Sequence, residues 1–276
     1  PPSIPMILYA VMAETSVVQL FVAGIVPGLI GGLGLMGVAY WFARRYDLPV
    51  EQHFRWSEVR RTAREAFWAF TLPMIILGGI FGGFVTATEG AALAVVAALF
   101  IGLVVYRELD LAHLKQAIIE GGSQTAVVML LVATSALLGV YLTETRAPQE
   151  LARAVTELTT NKWLVLALLN VLFLLLGMFL HSAAAIILVV PVVMPLVHAA
   201  GIDPVHFGLI VTINLGIGQQ TPPVASVLMV ACSISKAGVW EVTRTNVYFI
   251  AVLLAVLLLV TYVPVTGMGL VEYFYR

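Results

Sequence analysis

Charge is what this sequence has least of. Asp, Glu, Lys and Arg make up 11% of its 276 residues, less than half of the roughly 25% normal for soluble domains. Too few charges are present to cover a water-facing surface, and 61% of the residues are hydrophobic, with a mean hydropathy of +1.02. Lipid is therefore the main solvent, and a cytoplasmic enzyme, a secreted disulfide scaffold and a disordered tail are excluded. There is one cysteine, Cys232, so neither a disulfide framework nor a cysteine metal site can form within the chain. In its apolar run Cys232 reads as a small buried residue. The net charge of −1 supplies no attraction to nucleic acid. No Ser/His/Asp set, phosphate loop or dinucleotide fingerprint occurs, and the chain reads as a non-enzyme. Pro1-Pro2-Ser3, with no methionine and no basic n-region, is not a signal peptide and reads as the interior of a longer chain.

What the sequence does have is a series of long apolar runs. Val17 to Ala43 is long enough for a tilted span. Residues 44–66 follow, with six arginines among Asp47, Glu51, Glu58 and Glu65, and from Trp56 they pattern as a surface helix with Ser57 as a candidate N-cap. Ala66 to Phe84 and Gly90 to Tyr106 are predicted spans on either side of Thr86-Ala87-Thr88-Glu89. Glu89 fits either an intramembrane functional group or a helix N-terminal charge. Leu109 to Glu120 reads as a short polar helix, Gly121 to Tyr141 as a span packed on protein through its hydroxyls and amides, and Pro148 to Thr160 as a second amphipathic arm.

The run 163–180 carries no charge and is followed at once by His181-Ser182 and a second apolar run to Val197. Hydropathy alone leaves two full spans and a re-entrant hairpin, tipped at Gly177 to Ser182, equally open. Beyond the turn Gly201-Ile202-Asp203-Pro204, Val205 to Gly218 and Val224 to Ser235 are each too short to span comfortably, and Gln219-Gln220-Thr221-Pro222-Pro223 separates them. Together they read as one discontinuous helix, whose non-helical backbone must be buried in protein or line a polar site. Asn246 to Val263 is the last predicted span. His198 and His206 flank the turn, but a zinc site would need further ligands that are not in evidence.

With the hairpin re-entrant and the broken helix counted as one span, residues 44–66, 107–120 and 236–245 share a side and hold ten of the 14 Lys and Arg. That side is read as cytoplasmic, with the C-terminus periplasmic. Two full spans in place of the hairpin give the same sides. When Pro1-Pro2-Ser3 is laid on Pro222-Pro223, a short apolar segment and then a long span follow in both copies, in opposite directions. An inverted pair of broken helices is the architecture of many secondary transporters, and the first copy lacks its front.

These residues resemble the large membrane subunit of tripartite ATP-independent periplasmic (TRAP) transporters essentially end to end. The likeness includes Pro1-Pro2-Ser3-Ile4, Pro27-Gly28, Gly78-Gly79-Ile80, Thr86-Ala87-Thr88-Glu89, the run Gly201 to Gly208, Asn214-Leu215, and Thr221-Pro222-Pro223-Val224. The chain looks like the C-terminal two-thirds of such a subunit. The resemblance implies an all-α integral membrane protein, an inverted-repeat elevator-type transporter with a re-entrant hairpin and discontinuous helices. It favours the hairpin reading of 163–200. The implied layout has 1–43 as the end of a first inverted repeat and 44–69 as a cytoplasmic amphipathic arm. Residues 70–145 are spans leading into the second repeat, 146–162 a periplasmic-side arm helix, 163–200 the hairpin, 201–236 the discontinuous helix, and 237–276 the last span and C-terminus.

The resemblance further implies sodium as the coupling ion with no other cofactor, a bacterial or archaeal inner membrane, and a small carboxylate-bearing substrate. The implied partners are a small four-helix membrane subunit and a periplasmic substrate-binding protein. Three positions depart from the pattern: His181 where an acidic residue is usual, Ala87 where proline is frequent, and Ala225 where glycine is common. His181 fits either a proton-linked group or a neutral imidazole hydrogen-bonded at the tip.

Carbonyls and hydroxyls at a helix break suit a small hard cation, and N–H ends suit an anion. Pro222 and Pro223 donate no hydrogen bond and so free carbonyls upstream. The candidate sodium ligands are Gly216, Gly218, Gln219, Thr221 and Pro222 with the tip residues Gly177 and Ser182, and Ser3 at the matching site, where a simple N-cap is the alternative. Pro1, Pro2, His181, Gln220 and Pro223 are the candidate substrate-facing residues. Two other readings are a dicarboxylate elevator carrier that needs no binding protein, and a membrane scaffold subunit without transport of its own.

Overall fold

The computed structural model describes residues 2–48, 54–159 and 161–275, which are helical apart from turns and short connections, with no strand among them. Pro1, Glu51, Thr160 and Arg276, which entered the reading above, lie outside the described residues. The chain divides into two compact units, residues 3–42 with 130–276, and residues 43–129.

In the first unit, α1 (Ile4–Met12) starts at Ser3 with Pro5 in its first turn. The predicted span from Val17 forms as α2 (Val17–Ala23) and α3 (Ile25–Arg45), which break at Gly24. Pro27 has no N–H to give the Ala23 carbonyl, and this accounts for the break. Tyr9 fixes α1: it is fully buried, and its hydroxyl donates to the Pro204 carbonyl at 2.7 Å. A Cβ on Gly208 would overlap the edge of the Tyr9 ring and crowd Leu20, so a side chain there would force the buried ring to shift.

The second unit contains α4 (Trp56–Glu65), which is exposed and laced by Arg61 to Glu58 at 2.7 Å. Its N-cap is Arg55, two residues earlier than the expected Ser57. The chain bends by 61° into α5 (Phe67–Phe81). Gly82 and Gly83 turn it into α6 (Ala87–Phe100), which a π-helical turn (Ile101–Val105) extends. Glu89 proves to be a capping residue: its carboxylate accepts from the Thr86 N–H at 2.8 Å and the Thr86 hydroxyl at 2.9 Å. This capping box is the electrostatic alternative raised above. The polar helix and the span expected at 109–141 are one continuous helix, α7 (Leu111–Thr145), which runs from this unit into the first. Gly121 and Gly122 weaken such a helix by roughly 1 kcal/mol each but do not stop it without a proline.

Back in the first unit, α8 (Ala147–Leu158) lies against α10 (Ser182–Ala199). α9 (Lys162–Phe179) and α10 are the hairpin arms, joined by Leu180 and His181 alone. α11 (Pro204–Gly218) is capped by Asp203, which accepts from the Val205 and His206 N–H groups, and runs parallel to α9. α12 (Ser226–Ser235), α13 (Val239–Tyr262) and α14 (Val265–Tyr275) complete the chain. α14, set off by Pro264, was not anticipated. α13 is antiparallel to α11, with His206 Nε2 at 2.8 Å from the Val260 carbonyl at one end and Asn246 donating to the Gln220 carbonyl at the other.

Among the described residues, six helices or continuous pairs are long and apolar enough to cross a membrane, and the bent α4–α5 pair makes a seventh at most. This is an all-α multi-pass membrane protein. In lipid the hydrophobic effect does little to drive helix against helix, so packing through small residues and internal hydrogen bonds carries the association. Among the described residues, six non-glycine residues take left-handed backbone: Glu14, Asp47, Arg107, Arg146, Ala225 and Lys236, with φ between 46° and 55°.

Candidate functional site

The site is built where α11 fails. Its last turn tightens: Gln220 N–H donates to the Ile217 carbonyl and Thr221 N–H to the Gly218 carbonyl, at 3.0 and 2.9 Å. Pro222 and Pro223, joined by a cis bond, cannot serve the Gly218 and Gln219 carbonyls four residues back. The Gln219 carbonyl instead accepts from Val227 N–H at 3.1 Å, across the break. The Thr221 hydroxyl donates to the Ile217 carbonyl at 2.9 Å and keeps its lone pairs. Ala225 then turns left-handed into α12.

The hairpin tip meets this break. Val224 N–H donates to the Met178 carbonyl at 3.3 Å. Gly177 and Gly218 touch backbone to backbone: a Cβ at Gly218 would lie 2.6 Å from the Gly177 Cα. By length each arm passes as a span, and the tip between them packs against the break. α11 has 15 residues, a reach of roughly 22 Å. Asn246, at the level of the break, lies about 10 Å along α13 from Val239. Both distances are shorter than the roughly 30 Å of a hydrocarbon layer. The C-terminal ends of α9 and α11 bring carbonyls to one place, and the N-terminal ends of α10 and α12 start beside it. The first pair favours a cation and the second an anion.

Of the expected site residues, Gly177, Gly218, Gln219, Gln220, Thr221, Pro222 and Pro223 belong to this junction. Ser182 is buried at the first turn of α10, and His181 is exposed at its N-cap position without a side-chain cap bond. Gly216 is exposed and faces a cavity of about 450 Å³ that Ser3 also lines, together with Met6, Gly28, Gly31 and Leu253. Ser3 occupies the N-cap position of α1 but makes no side-chain cap bond. Pro2 is exposed, and Pro1 lies outside the described residues.

Two groups of residues were not among the site residues expected from the sequence. Asn246 reaches from α13 to the Gln220 carbonyl at 3.3 Å. Asn170, Asn214 and Thr261 form a buried chain across α9, α11 and α13: Asn214 Nδ2 donates to Asn170 Oδ1 at 2.6 Å, and Asn170 Nδ2 to the Thr261 hydroxyl at 3.1 Å. Asn214 Nδ2 also donates to the Ile210 carbonyl, which fixes the amide and leaves Oδ1 buried without a partner. The signal for both is a side-chain amide in an apolar run. His206, near the predicted turn, is buried and bonded to the Val260 carbonyl. Cys232 packs with Ala225, Leu228 and Val242.

A hairpin tip packed against a broken helix is an arrangement found in many secondary transporters. Comparison with known proteins identifies the family. The profile of the family described as "Tripartite ATP-independent periplasmic transporter, DctM component" matches residues 1–266. The chain is 40% identical over 269 residues to the isethionate TRAP transporter permease protein DctMQ of Oleidesulfovibrio alaskensis, covering 97% of this chain and 42% of that protein. It is 39% identical over 270 residues to the C4-dicarboxylate TRAP transporter large permease protein DctM of Pseudomonas aeruginosa, covering 98% and 63%. It is 36% identical over 274 residues to the sialic acid TRAP transporter large permease protein SiaM of Vibrio cholerae, covering 99% and 64%. The chain belongs to the DctM family of TRAP transporters. These relatives are named as transporter permeases rather than enzymes, and the chain spans between 42% and 64% of their length.

Proposed function

We propose that the chain forms the hairpin-and-broken-helix part of the membrane permease of a sodium-coupled, binding-protein-dependent importer of a small organic anion. The carrying observation is the junction of Gly177 and Met178 with Gly218 and Val224. Two carbonyl-bearing helix ends and the Thr221 hydroxyl supply oxygen to a hard monovalent cation, and two helix N-termini face an anion. Isethionate, C4-dicarboxylates and sialic acid, the solutes in the relatives' names, are organic anions. In this reading the hairpin and broken helix travel as one body in an elevator, and Pro2 with α1 is the counterpart of Pro223 with α12 in an inverted repeat. A small four-helix membrane subunit and a periplasmic substrate-binding protein complete the complex. Residues 44–66 face the cytoplasm and the C-terminus the periplasm of a bacterial inner membrane.

The test is uptake of these anions into proteoliposomes holding the complete complex, with and without a sodium gradient and the binding protein. Both are expected to be required. Thr221→Val combined with Gln220→Leu is expected to weaken the sodium dependence, and an unchanged dependence would remove sodium from this break. Uptake driven by a proton gradient alone, abolished by His181→Gln, would replace sodium with His181-linked protons.

A further inference from the structure

α7 has 35 residues, and among its described side chains only Ser135 is buried. Thr125, Thr134 and Thr145 on the same helix all turn their hydroxyls back to carbonyls of their own helix, four residues upstream. Ser135 does not. Its hydroxyl crosses to α10 and donates to the Ile187 carbonyl at 2.6 Å. That carbonyl needs an outside donor because its own helical partner would be residue 191, which is proline.

α10 contains a second proline, Pro195, four residues later. It removes the helical donor of the Pro191 carbonyl in the same way. Two carbonyls deprived of their helical N–H therefore lie one turn apart on nearly the same face of the second hairpin arm, about 6 Å along its axis. α8, which packs on α10, is joined to α7 through Arg146 in left-handed backbone, a junction where one residue can absorb a change of angle.

We propose that Ser135 is a positioning residue that holds the hairpin at one of two stops along α7. Its hydroxyl donates to the Ile187 carbonyl at the first stop and to the Pro191 carbonyl at the second, after a one-turn slide. One-turn ratchets of packed helices are an established form of two-state motion. The proposal rests on the elevator reading for the movement, and on the Ser135 contact alone for the first stop.

The experiment uses the complete complex with Ser135→Ala, Pro191→Ala and Pro195→Ala, singly and in pairs. In Pro191→Ala the new N–H serves the Ile187 carbonyl, so Ser135 is no longer needed there. Ser135→Ala is expected to lower the unfolding midpoint in detergent by about 2–6 °C in the unaltered background and to have little effect in Pro191→Ala. Ser135→Thr, which keeps the hydroxyl, is expected to restore the midpoint. Equal losses in both backgrounds would overturn the first stop. For the second stop, Pro195→Ala is expected to change the uptake rate several-fold when Ser135 is present and not at all in Ser135→Ala. An equal change in both would overturn it. Failure of the unaltered complex to take up any organic anion would remove the functional reading and the second stop together, while the midpoints would still decide the first.

Discussion

Replacing Gly218 by alanine tests the junction most directly. The added Cβ would lie 2.6 Å from both the Cα and the carbonyl carbon of Gly177, and 3.0 Å from the Leu174 carbonyl oxygen. Carbon atoms rest comfortably at about 3.5–4.0 Å, so α9 must retreat by roughly 1 Å. All three obstacles are backbone, and none can rotate away. Overpacking of this kind costs about 1–3 kcal/mol. The gain in helix propensity, at most about 1 kcal/mol in a helix interior, is smaller here at the last residue of α11. The net loss is about 1–2 kcal/mol, a drop of roughly 2–8 °C in the unfolding midpoint. The retreat also pulls the Met178 carbonyl from the Val224 N–H, so uptake should fall at least about tenfold, the equivalent of 1.4 kcal/mol. Gly177→Ala meets backbone at 3.1–3.3 Å and needs only a few tenths of an ångström, so its cost and its propensity gain nearly cancel. Gly216→Ala meets nothing within 4 Å and should stabilise by up to about 1 kcal/mol. The midpoints should therefore rank Gly216→Ala highest and Gly218→Ala lowest. A Gly218→Ala protein as stable as Gly216→Ala would refute the close contact.

Asn214→Leu should destabilise by about 1–3 kcal/mol because it leaves Asn170 Oδ1 buried without its donor. Adding Asn170→Leu should recover part of that loss, and a double-mutant cycle in thermal unfolding reads the coupling. Tyr9→Phe should cost about 1 kcal/mol in the same assay through loss of the bond to the Pro204 carbonyl, and no loss would mean that ring packing alone seats α1. Asp110, outside the spans, accepts from the His113 backbone N–H and pairs with its ring, which hold the carboxyl below its ordinary range. A lowered pKa makes this cap fully present above about pH 4 and lost as the pH falls through the lowered value. Hydrogen exchange at the His113 amide should therefore lose protection on acidification, and Asp110→Asn should flatten that profile.

The broken helix was legible because its cause is local. Pro222-Pro223 cannot continue a helix wherever it stands, and the two flanking runs are short. Glu89 was half legible, since Thr86 and Glu89 have capping-box spacing but the same residues also fit an intramembrane acid. The continuous α7 was obscured by Gly121-Gly122, whose cost is overridden by the apolar length that follows. The break at Gly24 depended on Pro27, three residues further on, within a run that otherwise reads as one span. Ser135, Asn170, Asn214 and Asn246 could be seen as polar residues in apolar helices, but their partners lie on other helices. Only packing determines which helix each one meets. The same holds for Gly177 and Gly218, ordinary glycines in sequence whose necessity is a matter of distance.

The left-handed residues carry a consequence for depth. Five of the six are charged, Glu14, Asp47, Arg107, Arg146 and Lys236, at helix ends. The sixth is Ala225, at the break between α11 and α12. Each position asks for the same backbone turn, which costs a non-glycine residue about 1–2 kcal/mol. Glycine would turn as well at all six, but it would leave a helix end free to drift along the membrane normal. A charge resists being drawn into hydrocarbon, so it turns the chain and ballasts it at the waterline together. At the break a charge would be stranded, and a small neutral side chain makes the turn instead. On the proposed topology, a charged residue at a left-handed turn marks a turn near the surface and a neutral one a turn below it.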